Sequence, residues 1–325
     1  MTPTCFVTGG SGFVGGRLIE RLVAAGWRVR ALARGEAAAR SVSMRGAEPV
    51  PGSLDDLAAL AAATRGCSVV FHVAALFKLW GDAAEFERSN VSGTANLLRA
   101  AREAGVARFV QLGASAVVLG KPAPLLRATE ALPRQQWAWA PYSASKARSE
   151  ALVIGANQPG VFETMVVRPP MIWGRGMPML DQLVDAVRAG DFRWVGDGSQ
   201  AMSTAHVDNV CHALELASAN GRGGEVYLVS DGADQTLKAF MSELLRSRDV
   251  EPPKASVPLP MAWLLAGAME WAWRTFARAG EPPITRQMLS LIGAPFTLDI
   301  GKAARELGYR PEVSVAQGLR ELRRA

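Results

Sequence analysis

Cysteine is scarce in this chain. Its 325 residues include three, Cys5, Cys67 and Cys211, all within apolar runs and none at a pairing or metal-ligand spacing. Neither a disulfide framework nor a metal centre is expected, and a reducing, cytoplasmic setting is. Long apolar runs are missing too. Met261 to Trp273 invites a membrane reading, but it falls short of the about 20 residues a spanning helix needs, and Glu270 interrupts it. That leaves the segment as a core helix, a dimer face or a peripheral helix on a membrane surface. No leader is expected, because Thr4-Cys5-Phe6-Val7 already reads as a strand. Fixed-period repeats and low-complexity tracts are absent. The formal charge of +6 comes from arginines spread along helical stretches and from Arg320-Glu321-Leu322-Arg323-Arg324. Without interleaved aromatic residues it does not indicate nucleic acid, though an anionic ligand is compatible with it.

What is present is a globular composition, 49% hydrophobic and 20% charged, arranged as apolar β-like runs alternating with helical patterns. That alternation predicts a parallel sheet built from βαβ units. Strands are predicted at Thr4–Thr8, Arg28–Ala33, Val69–Val73, Phe109–Leu112, Glu163–Arg168 and Val226–Val229. Helices are predicted around Arg17–Val23, at Asn90–Ala104 and at Ser143–Asn157. The fold class is α/β, a Rossmann-type doubly wound parallel sheet with a smaller, mainly helical C-terminal substrate domain. On the glycine pattern that follows the first strand, residues 1–170, with 205–230 returning to them, are expected to form a dinucleotide-binding part, and 171–204 with 231–325 a substrate side.

After the first strand comes Thr8-Gly9-Gly10-Ser11-Gly12-Phe13-Val14-Gly15, leading straight into a helix. Gly9, Gly12 and Gly15 allow the backbone to approach a pyrophosphate, and the amides of Phe13 and Val14 face it at the helix N-terminus. The alternative is an ordinary tight strand-to-helix turn, and the placement between strand and helix at the start of the chain favours the dinucleotide. The second strand ends Ala31-Leu32-Ala33-Arg34, without the acid that would bind ribose hydroxyls. A guanidinium there suits a 2′-phosphate, so NADP(H) is preferred and NAD(H) is the alternative.

In Pro141-Tyr142-Ser143-Ala144-Ser145-Lys146 a Tyr and a Lys lie four apart, hence on one helix face. A phenol titrates near pH 10, and a neighbouring ammonium favours its anion, so Lys146 is expected to draw Tyr142 toward a useful range.

Together with Asn90-Val91-Ser92-Gly93-Thr94 and Leu307-Gly308-Tyr309-Arg310-Pro311, these motifs resemble the extended short-chain dehydrogenase/reductase superfamily over nearly the whole chain. Arg168-Pro169-Pro170 with Trp173-Gly174, His206-Val207-Asp208-Asn209 and the segment Pro258–Trp273 look most like its 3β-hydroxysteroid dehydrogenase-like branch. The resemblance implies an oxidoreductase in which Tyr142 and Lys146 are catalytic and Lys146 also holds the nicotinamide ribose. It further implies a hydroxyl that binds the carbonyl. Counting from Phe109 that hydroxyl falls at Ala114, and counting back from Gly120 at Ser115, so Ser115 is the candidate; otherwise Ser115 caps a turn and the donor is lacking. Ser53 stands where relatives place an adenine-binding Asp, and Leu54, Ala74, Ala75 and Pro169 are expected along the cofactor. His72 is kept out of the site. A homodimer is implied by the superfamily alone.

Leu76–Trp80, Trp137-Ala138-Trp139 and Met261–Leu265 are rich in bulky apolar groups, which suits a hydrophobic, steroid-like small molecule bearing a carbonyl or secondary alcohol. Two alternatives stay open. A nucleotide-sugar epimerase or dehydratase would commonly place an Asn between Val166 and Gly174, where none occurs. A noncatalytic NADP-binding redox sensor would tend to have lost Tyr142 and Lys146.

Overall fold

The computed structural model describes residues 2–323, so Arg324 of the basic C-terminal run lies outside the described residues. Seven strands form a parallel sheet: β1 (Thr4–Thr8), β2 (Arg28–Ala33), β3 (Glu48–Pro51), β4 (Val69–His72), β5 (Arg108–Leu112), β6 (Glu163–Arg168) and β7 (Val226–Leu228). Their spatial order is β7-β6-β5-β4-β1-β2-β3. Side chains alternate between the two faces with period two. Val7, Phe71, Val110 and Val167 pack on one face against α1 (Phe13–Ala24) and α4 (Val207–Asn220), through Leu18, Ile19, Val210 and Leu214. Their neighbours Phe6, Val70, Phe109 and Val166 pack on the other against α2 (Gly93–Glu103) and α3 (Pro141–Gly155), through Leu97, Ala101 and Val153. Both faces are covered, which is why these strands read as continuous apolar runs.

Strand β3 is absent from the sequence reading, since Pro49 and Pro51 argue against a strand. It pairs only with β2, and at an edge the missing amides cost no ladder bonds. The sheet order reverses between β1 and β4, and the crevice at that point, beyond the strand C-termini, is where open α/β sheets bind ligands.

The remainder is mainly helical, as expected, with several strands of two to four residues among its helices. A four-stranded sheet runs Gln235–Thr236, Ala201–Met202, Phe296–Leu298, Leu125–Ala128. Its last strand comes from the first half of the chain. Helix α5 (Leu259–Thr275), of which only Ala262, Ala266 and Glu270 are buried, packs against Val195 and Leu289. The segments are tied together by Asp231, a buried carboxylate that accepts from Trp173 Nε1 (2.7 Å), Thr204 Oγ1 (2.8 Å), the His206 amide (2.6 Å) and Asn209 Nδ2 (2.7 Å). No described helix is long and apolar enough to cross a membrane.

Candidate active site

Helix α3 begins two residues earlier than its sequence pattern indicates. Pro141 occupies the first turn, where a missing amide is harmless and a fixed φ is already helical. Tyr142 and Lys146 are thereby one turn apart and both buried. The Lys146 ammonium donates to the Leu112 carbonyl at the end of β5, at 2.6 Å. Burial pulls its pKa down to about 8, against an opposing pull from Glu150. For Tyr142 the expected direction is reversed: burial pushes the phenol well above its ordinary value. Desolvation disfavours the anion more than the neighbouring ammonium, already bonded to Leu112, favours it.

Ser115 follows β5 in a single 3-10 turn, its amide donating to the Pro169 carbonyl (2.9 Å) and its hydroxyl free of hydrogen bonds among the described residues. Pro169 itself is buried at the end of β6. Because the strands are parallel, Ser115, Pro169 and Gly9 all stand at the same edge of the sheet.

The glycine loop fits a dinucleotide. Gly12 caps α1 with no side-chain acceptor, so the first-turn amides of Phe13 and Val14 keep their donors for a ligand. Gly12 N donates to Gly9 O (3.0 Å). A Cβ on Gly9 would lie 2.8 Å from the Ala74 amide nitrogen, and one on Gly15 would run into Gly9 O. Ala75 is exposed beyond Ala74. Arg34 is exposed at the end of β2 and joins none of the ion pairs among the described residues. Ser53 Oγ accepts from the Asp55 amide (3.2 Å), and Leu54 lies beneath Gly93, its carbonyl taking Asn96 Nδ2 (3.0 Å).

His72 is a packed histidine. The Thr94 hydroxyl proton goes to Asn90 O (2.7 Å), so His72 donates from Nε2 to Thr94 Oγ1 and accepts at Nδ1 from Thr8 Oγ1, each at 2.8 Å. Burial, with a smaller push from Lys146, holds its pKa down at about 3, and it stays neutral.

Glu150 escapes the sequence reading, and Asn90 and Phe77, which it names only within longer stretches, take definite places here. Glu150, 1% exposed, sits one turn beyond Lys146 and binds Arg168 Nε (2.6 Å) and Nη2, and Arg134 Nη1 (3.1 Å). The four-residue step from Lys146 is the one sequence signal for it. Asn90 lies in a π-helical turn, Glu87–Ser92, just before α2. Its side chain binds both the amide (2.7 Å) and the carbonyl (3.1 Å) of Leu76, and donates to Ser145 Oγ (3.0 Å). The next residue, Phe77, stands edge-on to the Tyr142 ring at 4.9 Å.

The aromatic stretches also converge. Trp137 stacks on Trp139 (5.9 Å), and Trp139 meets Trp263 of α5 edge-on (5.2 Å). A cavity of about 200 Å³ opens beside them, lined by Leu119, Trp137 and Phe296. Gly120 leaves room for Trp137, whose Nε1 would be 3.0 Å from a Cβ there.

The sequence model of the 3-beta hydroxysteroid dehydrogenase/isomerase family matches residues 6–261. A 4-hydroxy-2-methyl-3-oxo-4-farnesyl-3,4-dihydroquinoline-1-oxide ketoreductase of Stigmatella aurantiaca is 43% identical over 98% of this chain and 96% of its own. A decarboxylating sterol-4-alpha-carboxylate 3-dehydrogenase of Dictyostelium discoideum is 30% identical over 98% and 99%. Among solved structures, a double mutant of the Streptomyces venezuelae dTDP-glucose 4,6-dehydratase with NAD bound superposes with a TM-score of 0.76 at 26% identity, covering 98% of this chain and 95% of that one.

Proposed function

The chain belongs to the 3-beta hydroxysteroid dehydrogenase/isomerase family of extended short-chain oxidoreductases, and on that footing we propose that it is an NADPH-dependent ketoreductase acting on a hydrophobic ketone. The observation that carries this reading is the buried Tyr142–Lys146 face of α3, set at the C-terminal edge of the sheet beside apolar rings. The bound nicotinamide supplies the hydride. Tyr142 delivers its phenolic proton to the carbonyl oxygen, and the raised pKa that burial gives it keeps the phenol protonated at neutral pH, the form that reduction needs. Ser115 donates its uncommitted hydroxyl to the same oxygen. Lys146 holds the ribose. The first-turn amides of α1 take the pyrophosphate, and Arg34 takes the 2′-phosphate that separates NADPH from NADH. The substrate's apolar skeleton lies among Phe77, Trp139 and Trp263. Two relatives named for farnesylated quinoline and sterol substrates support an apolar ketone over a nucleotide sugar.

The exposed side of α5 extends the same reading. Leu264 is 74% exposed and Trp271 62%, with Phe276 exposed just past the helix, and we propose that these apolar groups rest on a membrane surface from which such substrates are drawn.

The experiment is NADPH and NADH oxidation against a panel of hydrophobic ketones, with Tyr142→Phe beside the wild type. Turnover with NADPH that disappears in the variant is expected. NADPH binding without any turnover, joined by tight binding of a nucleoside diphosphate sugar, sinks the proposal.

A further inference from the structure

The loop after β4 carries one of the rings placed above against the substrate's skeleton, and its anchoring gives that ring a more specific role. Phe77 is 51% exposed, yet the residues around it are held at three points, one through backbone and two through side chains. Asn90 binds the amide and carbonyl of Leu76, the preceding residue. Lys78, the following one, donates to Glu85 at 3.1 and 3.2 Å. Two residues further, the Arg274 guanidinium of α5 lies 5.0 Å over the Trp80 ring. A half-exposed Phe in a slack loop would turn inward or move freely. Here the anchors keep one edge of the ring against Tyr142 at 4.9 Å and leave the rest uncovered. Asn90 also donates to Ser145 of α3, so a single amide fixes the loop and the helix bearing Tyr142 in one frame.

We propose that Phe77 is a specificity-determining residue: its open face is the wall against which an apolar skeleton rests when the attached carbonyl reaches the Tyr142 hydroxyl, and Asn90 is the positioning residue that keeps the wall there. The inference rests on the ketoreductase reading. Discrimination follows from contact area. A fused bicyclic ketone covers more of the ring than a monocyclic one, and therefore loses more when the ring is removed.

The NADPH-loaded protein is assayed with 1-decalone and cyclohexanone, and its tryptophan fluorescence is titrated with 1-decalol. In Phe77→Ala the decalone-to-cyclohexanone ratio of kcat/KM is expected to fall at least about 10-fold, with a smaller fall in Phe77→Leu and a weaker decalol Kd. Asn90→Ala shifts the same ratio in the same direction, whereas mere loss of folding would lower both ketones alike. A ratio within about twofold of wild type in Phe77→Ala, at the resolution of such cycles, overturns the proposal, as does unchanged decalol affinity or a wild type that binds no decalol. If the wild type binds decalol, reduces neither ketone, and loses decalol affinity in Phe77→Ala, the ketoreductase reading fails while the wall stands.

Discussion

The ammonium of Lys146 is bonded to the carbonyl of Leu112 at 2.6 Å in a fully buried setting, so a residue of the catalytic helix is tethered to the strand beside it by a charge that burial opposes. Its pKa falls from 10.5 to about 8. The unfolded chain therefore holds a proton between about pH 8 and 10.5 that the folded chain has lost. Stability contributed by this group is lowest below pH 8 and rises with pH through that window. Lys146→Met is expected to raise the melting temperature at pH 7 while abolishing turnover, with the gain in melting temperature shrinking as pH approaches 10. Calorimetry across pH checks it. A Lys146→Met protein that melts lower at pH 7 would mean that the Leu112 bond outweighs desolvation.

Arg34 makes no side-chain hydrogen bond or ion pair among the described residues, so its removal is expected to leave the fold alone and act on the cofactor. Arg34→Ala is expected to raise the KM for NADPH about 10- to 100-fold, the worth of one or two charge-assisted bonds, while the KM for NADH stays near that of the wild type. Steady-state kinetics with both cofactors decides the matter. Equal effects on the two would remove the 2′-phosphate assignment.

Ser115 offers the hydroxyl nearest to hand after β5. Ser115→Ala is expected to lower kcat about 10²- to 10³-fold, the usual cost of one lost donor at a developing oxyanion, with NADPH affinity retained. A kcat close to wild type would show that the carbonyl is held without it.

Asp231 is a stability residue. Asp231→Ala strands four donors, two of them from Trp173 and Asn209 side chains, and is expected to destabilise the protein by about 3 kcal/mol or more. Asp231→Asn, which keeps an acceptor oxygen, costs less. Urea unfolding of both variants provides the comparison.

The parts legible in the sequence are those where one local rule suffices. Strands β1, β2 and β6 match their expected bounds because each is a short, largely buried apolar run, and the Tyr142–Lys146 spacing needs only the helix repeat. Strand β3 was hidden by Pro49 and Pro51, whose tolerance depends on an edge position that only the assembled sheet defines. The direction of the Tyr142 shift was missed because burial is a tertiary property, while the counteracting ammonium could be counted from spacing. Phe77 was visible as one apolar residue in a rich stretch, but its place against Tyr142 comes from Asn90, which is near in space through a π-helical turn that no propensity scale marks. The glycine pattern was readable, and the close approach of Gly9 to Ala74 gives it a steric reason.

Strand Leu125–Ala128 lies in the first half of the chain yet is hydrogen-bonded to Phe296–Leu298 near the other end. The two halves are thus interwoven rather than set side by side, and a gene divided at residue 170 would strip this ribbon from its neighbour and bare Phe296 and Leu298 to water. Neither fragment would be expected to stay in solution when expressed by itself, but the two made together in one cell should find each other and restore the parent protein.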